Sequence, residues 1–322
     1  MEYIHPKKRY SQSSVRQQDQ NSNLASVANS FGFNTENLSI EMLSGGFMNA
    51  NYLISDSKQK AVLRVSATNS KTTKKEATLM NLVKSKGIKA PKCIDVKNND
   101  EKTYALHEYI EGLTLEDYLL ENQTLSKDTF NELGEQLAKI HLIEFEDNGL
   151  LDEELKIFDS FADIDSFALK YMTSVLSKVS ENKLSSTLKG RLLKLLDDKW
   201  GYVEGNSIKR RLTHSDFNPK NILVSHTGEL EAILDWEFGM SANCIADIGN
   251  FFRFSYDYPN YGKEAFIEGY NKVSHLPEEW EKAGHLLDLI AMCSFLERYE
   301  DYPETFRTAR TIITNTLNYF NY

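Results

Sequence analysis

The most reactive side chains of this sequence fall in one octapeptide, His214-Ser215-Asp216-Phe217-Asn218-Pro219-Lys220-Asn221, just before a short apolar run, Ile222–Val224. Asp235 closes the next strand-like run, Ala232–Asp235, after a turn at Thr227-Gly228. A loop holding Asp216 and Asn221 five residues apart can put a carboxylate at a reacting hydroxyl and an amide at a metal ion. A hairpin then returns Asp235 beside Asn221. Two oxygen donors from opposite arms suit Mg2+, which prefers carboxylate, carbonyl and phosphate oxygens. An acid within reach of a hydroxyl suits a base or orienting group for phosphoryl transfer. The same residue types also cap turns before strands.

Two further features bear on anions. Ser44-Gly45-Gly46-Phe47-Met48-Asn49 lies between two strand-like segments. Glycine lets backbone amides approach a phosphate closely, although no Gly-Lys-Ser/Thr follows and the segment is not a Walker loop. By itself it also suits an ordinary hairpin. Arg64 sits inside the apolar run Ala61–Val65, where a charge at a half-buried strand position needs a partner.

The elements around these residues divide into two parts. Residues 1–23 are polar, rich in Gln, Ser and Asn, and are expected to form a mobile tail. A short helix is expected from Leu24 to Phe31. Strands are expected at Ile40–Leu43, Ala50–Ser55, Ala61–Val65, Cys93–Val96 and Tyr104–Tyr109. Lys71–Lys86 has helical spacing and stops at Gly87, with Pro91 beyond. Residues 24–110 therefore read as a five-stranded antiparallel sheet with an inserted helix. The composition shifts near Glu111-Gly112. Residues 111–322 read as mainly helical, with Leu115–Leu120, Lys127–Ile143, 156–202 and 262–322 helical around the 211–237 hairpin region. The class is α+β, in two domains.

Bulk properties narrow the partners. The 322 residues carry 37 basic and 47 acidic side chains, a net charge of −10, which argues against nucleic acid or an anionic membrane as the main partner. No run approaches about 18 consecutive apolar residues, so no membrane span is expected. The N-terminal stretch has no apolar run of the secretory kind. Three scattered cysteines, Cys93, Cys244 and Cys293, form neither a disulfide framework nor a close-spaced zinc site. A cytoplasmic protein is expected.

Taken together, His214–Asn221, Ile233-Leu234-Asp235-Trp236-Glu237 and Ala246-Asp247-Ile248-Gly249-Asn250 resemble the catalytic-loop, metal-strand and following helical motifs of the aminoglycoside phosphotransferase and choline kinase family. The resemblance covers about residues 40–320 and implies a protein-kinase-like bilobal fold. It has a small antiparallel-sheet lobe with one helix and a larger, mainly helical lobe. It implies that Asp216 is the catalytic base or hydroxyl-orienting acid and that His214 braces the loop. Asn221 and Asp235 would hold Mg2+ on the nucleotide phosphates. Ser44, Gly45 and Gly46 become the nucleotide loop, and Arg64, paired with Glu76, meets the phosphates. The family usually carries Lys or Arg there and protein kinases carry Lys, but an Arg fork also binds phosphate and carboxylate. His107-Glu108-Tyr109-Ile110 aligns with the segment joining the lobes, where the backbone of Glu108 and Ile110 would meet the base. His141 matches a structural position near the catalytic loop.

The resemblance implies ATP as nucleotide, with GTP left open, and a small-molecule alcohol as acceptor. Trp236-Glu237-Phe238 replaces the Phe-Gly of protein kinases, and no Ala-Pro-Glu segment follows, which argues against a protein substrate. Acids and aromatics beyond the metal strand include Trp236, Glu237, Tyr256, Asp257, Glu297, Tyr299, Glu300 and Asp301. Such a lining suits an amine or quaternary ammonium group on the acceptor, such as an antibiotic or an amino alcohol. The same residues also suit core positions and solvated helix faces. A nucleotide-binding pseudokinase with a regulatory role is the alternative.

Overall fold

The computed structural model describes residues 17–43, 49–66, 70–99, 102–121, 123–298 and 303–322. The chain divides into two compact units. One runs to Glu111 and takes in Asp152–Leu155; the other comprises Gly112–Leu151 and Lys156–Tyr322.

The first unit contains α1 (Gln17–Ser30), β1 (Ser39–Met42), β2 (Asn49–Ser55), β3 (Lys60–Ser66), α2 (Ser70–Ser85), β4 (Cys93–Asn98) and β5 (Thr103–Glu108). Its five strands form one sheet in the order β1-β2-β3-β5-β4, every pair antiparallel. Because successive side chains of a strand face opposite sides, β3 serves two cores. Ala61 and Leu63 pack with Tyr52, Ile54, Tyr104 and Leu106 against Leu24 and Ala28 of α1. Arg64 turns to the other side, where Ala105, its register partner, packs with Cys93 and Ala77 of α2. Helix α1 begins at Gln17, not Leu24, so residues 17–23 belong to a helix and not to a polar tail. Its apolar positions, Leu24, Val27, Ala28 and Phe31, cover one face of the sheet. Residues 1–16 lie outside the described residues.

The second unit contains β6 (Leu113–Thr114), α3 (Leu115–Leu120), α4 (Lys127–His141), β7 (Gly149–Leu151), β8 (Ile157–Ser160), α5 (Ile164–Lys178), α6 (Ser186–Lys199), α7 (Gly201–Gly205), β9 (Arg211–Thr213), β10 (Ile222–Val224), β11 (Leu230–Ile233), β12 (Met240–Ala242), α8 (Ile245–Phe252), α9 (Gly262–Asn271), α10 (Trp280–Glu297) and α11 (Pro303–Tyr319). The apolar stripe of α4, Phe130, Leu133, Leu137 and Ile140, is fully buried. Helices α4 and α9 approach so closely that a Cβ on Gly134 would lie 2.0 Å from the Phe266 carbonyl oxygen. A Cβ on Gly269 would lie 1.9 Å from that of Asn131. Two small sheets, β11-β10-β6 and β8-β7-β12-β9, supply the strands on either side of the His214–Asn221 loop, β9 before it and β10 after it. Their strands of two to four residues are too short to show a period of two, and most carry no signal in the sequence.

Candidate active site

The loop from His214 to Asn221 links β9 to β10. Both oxygens of the Asp216 carboxylate are engaged: Oδ1 accepts from the Asn218 amide at 2.7 Å and Oδ2 from the Asn221 amide at 2.7 Å. The same two amides also donate to the Asp216 carbonyl, at 3.2 and 2.9 Å. The carboxylate is half-buried and fixed in direction by two side chains of its own loop. Asn218 also caps the turn that carries Pro219–Asn221, accepting from the Lys220 amide at 3.0 Å. Strands β10 and β11 pair with Ile222 opposite Ile233, and the Leu234 amide donates to the Asn221 carbonyl at 2.7 Å. Asp235 therefore returns next to Asn221. Its backbone lies in the left-handed region, φ 64° and ψ 65°, a sparsely populated conformation for a non-glycine residue.

These residues fit a magnesium ion. Asn221 spends its amide nitrogen on Asp216, while its Oδ1 makes no hydrogen bond among the described residues. An amide oxygen and a neighbouring carboxylate form an all-oxygen pair, the donor type a hard divalent cation takes. Among the described residues there is no cluster of three or more His, Cys, Asp or Glu side chains that could hold a metal without other ligands. Mg2+ is commonly held by one or two protein groups, with water and phosphate oxygens completing its octahedron.

The loop is anchored from beneath by a buried charge. Asp247, fully buried near the start of α8, accepts the His214 amide at 2.7 Å on Oδ2 and the Ser215 amide at 2.8 Å on Oδ1. Ser215 is held at φ 66°. The imidazole Nε2 of His141, at the end of α4, lies 3.2 Å from Asp247 Oδ2, and its Nδ1 lies 2.8 Å from the Tyr270 hydroxyl of α9. Burial opposes a charge on His141. The neighbouring Cys244 and Tyr270 and the Asp247 carboxylate outweigh it and hold the imidazole pKa well above its ordinary value. His214 braces the loop from the other side. Its Nε2 donates to the Leu234 carbonyl at 2.9 Å and its Nδ1 accepts from the Asp216 amide at 3.3 Å, the tautomer that satisfies both contacts.

Trp236, expected among substrate-lining residues, has a different place. It is fully buried, its ring centroid 4.6 Å from that of His214 and its Nε1 donating to the Ile233 carbonyl at 3.0 Å. It packs under the loop and offers no surface to a substrate. Glu237 and Asp257 are half-buried and Tyr256 is exposed. Glu297 accepts from Tyr171 at 2.9 Å. Tyr299, Glu300 and Asp301 lie outside the described residues.

The sequence marks Asp247 and Asn250 within a motif but does not show what they hold. With its amide oriented to satisfy its neighbours, Asn250 donates to the Phe217 carbonyl at 3.0 Å and accepts from Arg253 Nη2 at 2.6 Å. Arg253 in turn grips Asp288 of α10, with Nε–O distances of 3.0 and 2.9 Å and an Nη2–O distance of 2.6 Å. Burial opposes the Arg253 charge, but Asp288, and further off Asp216, hold the guanidinium firmly protonated. Besides the motif, a charged residue inside the mostly apolar helix Ile245–Phe252 points to Asp247. Arg253 and Asp288 meet only through the α8–α10 packing and leave no local trace.

In the first unit, Arg64 of β3 meets Glu76 of α2 at 3.0 Å, with side chains 8% and 3% exposed. The strand charge thus finds the partner it requires. His107, one strand over on the same face, is buried, and neither ring nitrogen has a hydrogen-bond partner among the described residues. Burial, and secondly the Arg64 charge, push its pKa down to about 3, so the ring is neutral. The Glu108 carboxylate accepts from Lys84 at 2.8 Å and from the Lys92 amide at 3.0 Å. Its side chain is thus committed within its own unit. Ile110 is half-buried. Ser44, Gly45 and Gly46 lie outside the described residues.

An antiparallel sheet carrying a strand–helix ion pair, followed by a helical unit with an anchored acid–amide loop and a metal-type hairpin, defines the α+β protein-kinase-like class. Within it, the chain belongs to the phosphotransferase enzyme family, whose model matches residues 39–286. Similar solved structures agree on the fold. Aminoglycoside phosphotransferase APH(4)-Ia superposes with a TM-score of 0.68 at 16% identity, covering 92% of this chain and 98% of that one. A thermostable mutant of the same enzyme, in ternary complex with ADP and hygromycin B, gives 0.65 at 16%, covering 89% and 96%. Plasmodium vivax ethanolamine kinase gives 0.63 at 15%, covering 93% and 88%. No curated protein sequence matches the chain. Among the described residues, no helix is long and apolar enough to cross a membrane.

Proposed function

We propose that the protein transfers the γ-phosphoryl group of ATP, in a Mg2+-dependent reaction, to a hydroxyl of a small molecule. The observation that carries this reading is the Asp216 carboxylate, held by Asn218 and Asn221 at 2.7 Å each and followed across a hairpin by Asp235. In this reading Asp216 orients the acceptor hydroxyl and receives its proton as the oxygen attacks. Asn221 and Asp235 would hold Mg2+, which supplies charge neutralisation at the phosphate oxygens. Arg64, kept in place by Glu76, adds a fixed positive charge for the phosphates, and Ser44, Gly45 and Gly46 supply backbone amides. The backbone of Glu108 and Ile110 meets the base. His214 positions the loop and is not a proton carrier, because both its nitrogens are committed.

Neighbours in complex with ADP or AMP-PNP support an adenine nucleotide. GTP is the other nucleotide to test. The acceptor is proposed to be an antibiotic of the aminoglycoside kind, or an amino alcohol or sugar metabolite. Complexes of a similar fold with hygromycin B and a similar ethanolamine kinase support this range. Glu237, Tyr256 and Asp257 are proposed to face a cationic acceptor. Three free, buried cysteines favour a reducing compartment, and we place the protein in the cytoplasm.

The test is phosphate transfer from Mg·ATP and Mg·GTP across aminoglycosides, choline, ethanolamine, homoserine, methylthioribose and ketosamines. Turnover stimulated by one acceptor class identifies it. Nucleotide binding without phosphate transfer to any acceptor, and without slow hydrolysis, would favour the pseudokinase instead.

A further inference from the structure

Helix α8 has two faces with different tasks. At about 100° per residue, Asp247, Asn250 and Arg253 share the side that grips the catalytic loop. Ile248, Gly249 and Phe252 point the opposite way and line a cavity of about 230 Å³. The cavity lies wholly within the second unit, between α8, the segment that follows it, the first turn of α9 and the start of α10. It exists because two helices meet at glycines. A Cβ on Gly249 would lie 2.2 Å from the Gly284 carbonyl oxygen, so α8 and α10 touch at that point and diverge beyond it.

The walls combine two kinds of group. Phe252, Tyr258 and Trp280 form an aromatic wall, with Phe252 centroids 6.3 Å from Tyr258 and 6.0 Å from Trp280. Opposite charges sit together on the lining: Lys263 of α9 and Glu281 of α10, 2.7 Å apart and 49% and 37% exposed. A pair this exposed is worth at most about 1 kcal/mol, so a ligand that offers each partner a counter-charge separates it at little cost. His285 also lines the cavity, its ring 4.2 Å from Tyr319. Neither His285 nor the Trp280 indole makes a hydrogen bond among the described residues. Burial lowers the His285 pKa, so the imidazole is biased to the neutral form, with one donor and one acceptor.

We propose that this cavity binds a free α-amino acid with an aromatic or branched aliphatic side chain. The ligand carboxylate meets Lys263, its ammonium meets Glu281, and its side chain lies against Phe252, Tyr258 and Trp280. The volume falls below the roughly 300–1,000 Å³ of drug-sized ligand sites and suits a single ring with a short polar head. The site is separate from the proposed acceptor site, because α8 presents it on the side away from Asp216.

L-phenylalanine is the probe, titrated into the full-length protein by calorimetry and by Trp fluorescence. Phenylpropionate and phenethylamine, each lacking one charge, are the comparators. The expected result is saturable one-site binding of L-phenylalanine, with about tenfold or greater weakening for either comparator. Lys263→Met and Glu281→Gln, at an exposed and a half-buried position, are expected to weaken it similarly. Trp280→Phe should remove the fluorescence response, and Asp216→Asn should leave the affinity unchanged. Three results overturn the proposal: no saturable binding at millimolar probe, equal affinity for the comparators, or loss of binding in Asp216→Asn, which would move the ligand to the acceptor site. Asp216→Asn also separates this site from the proposed catalytic function, since binding here does not depend on phosphate transfer.

Discussion

The two units each bury an ion pair, and they use it differently. In the first unit, the side chains of Arg64 and Glu76 meet at 3.0 Å and join β3 to α2. In the second, Asp247 pairs with His141 at 3.2 Å but also accepts two backbone amides of the His214–Asn221 loop, at 2.7 and 2.8 Å. A side-chain pair can be exchanged for apolar side chains with little net loss, whereas a carboxylate that satisfies backbone donors cannot, because the donors remain. The first pair links one strand to one helix. The second is structural, and its product is the shape of the loop.

Double substitutions sharpen that contrast. Asp247→Leu with His141→Leu is expected to give the largest loss, because the buried His214 amide is orphaned at about 1–3 kcal/mol and the part-buried Ser215 amide also loses its acceptor, beyond the lost pair. Chemical denaturation measures it, and a near-neutral result would break the distinction between the units. Glu76→Ala alone should cost about 3–5 kcal/mol, the scale for removing one partner of a buried ion pair. Arg64→Leu with Glu76→Leu should recover most of that stability while nucleotide affinity stays lost. Recovery of both would remove Arg64 from the phosphate site.

His107→Leu acts in the opposite direction. It replaces a buried imidazole that has no hydrogen-bond partner, and a gain of about 1 kcal/mol is expected. A loss of stability would show that the ring has a water or ligand partner. The smallest effect is on pH dependence. The native pKa of His141 is raised, so its contribution is complete below the unfolded value of about 6.5 and fades as pH rises through the native one. The stability difference between wild type and His141→Gln should shrink on the alkaline side, measured by denaturation across a pH series. A difference that grows with pH would contradict a charged His141.

Much of this arrangement is legible in the sequence because it is local. Strand Ile222–Val224 and helix Leu115–Leu120 are found at the residues their patterns mark, and the hairpin that returns Asp235 to Asn221 follows from a turn between two apolar runs. Arg64 announces a partner simply by being charged on an apolar strand. Other features depend on distance. His141, Tyr270 and Asp288 acquire their tasks only when α4, α8, α9 and α10 pack together, across separations of up to 129 residues. Trp236 misleads because a tryptophan beside a metal-type aspartate reads as lining, while its indole N–H finds the Ile233 carbonyl inside the core. Helix α1 starts earlier than its composition indicates, since a sheet face stabilises a helix whose own residues are mostly polar.

The central claim is that Asp216 directs phosphate transfer from a loop that other residues hold in shape. The direct test is Asp216→Asn in the full chain, assayed for transfer from Mg·ATP to the acceptor the wild-type protein uses, with nucleotide affinity and unfolding measured alongside. The account expects turnover to fall by about 10²–10⁴-fold while the fold and Mg·ATP affinity persist. Full turnover in a folded Asp216→Asn protein would contradict it.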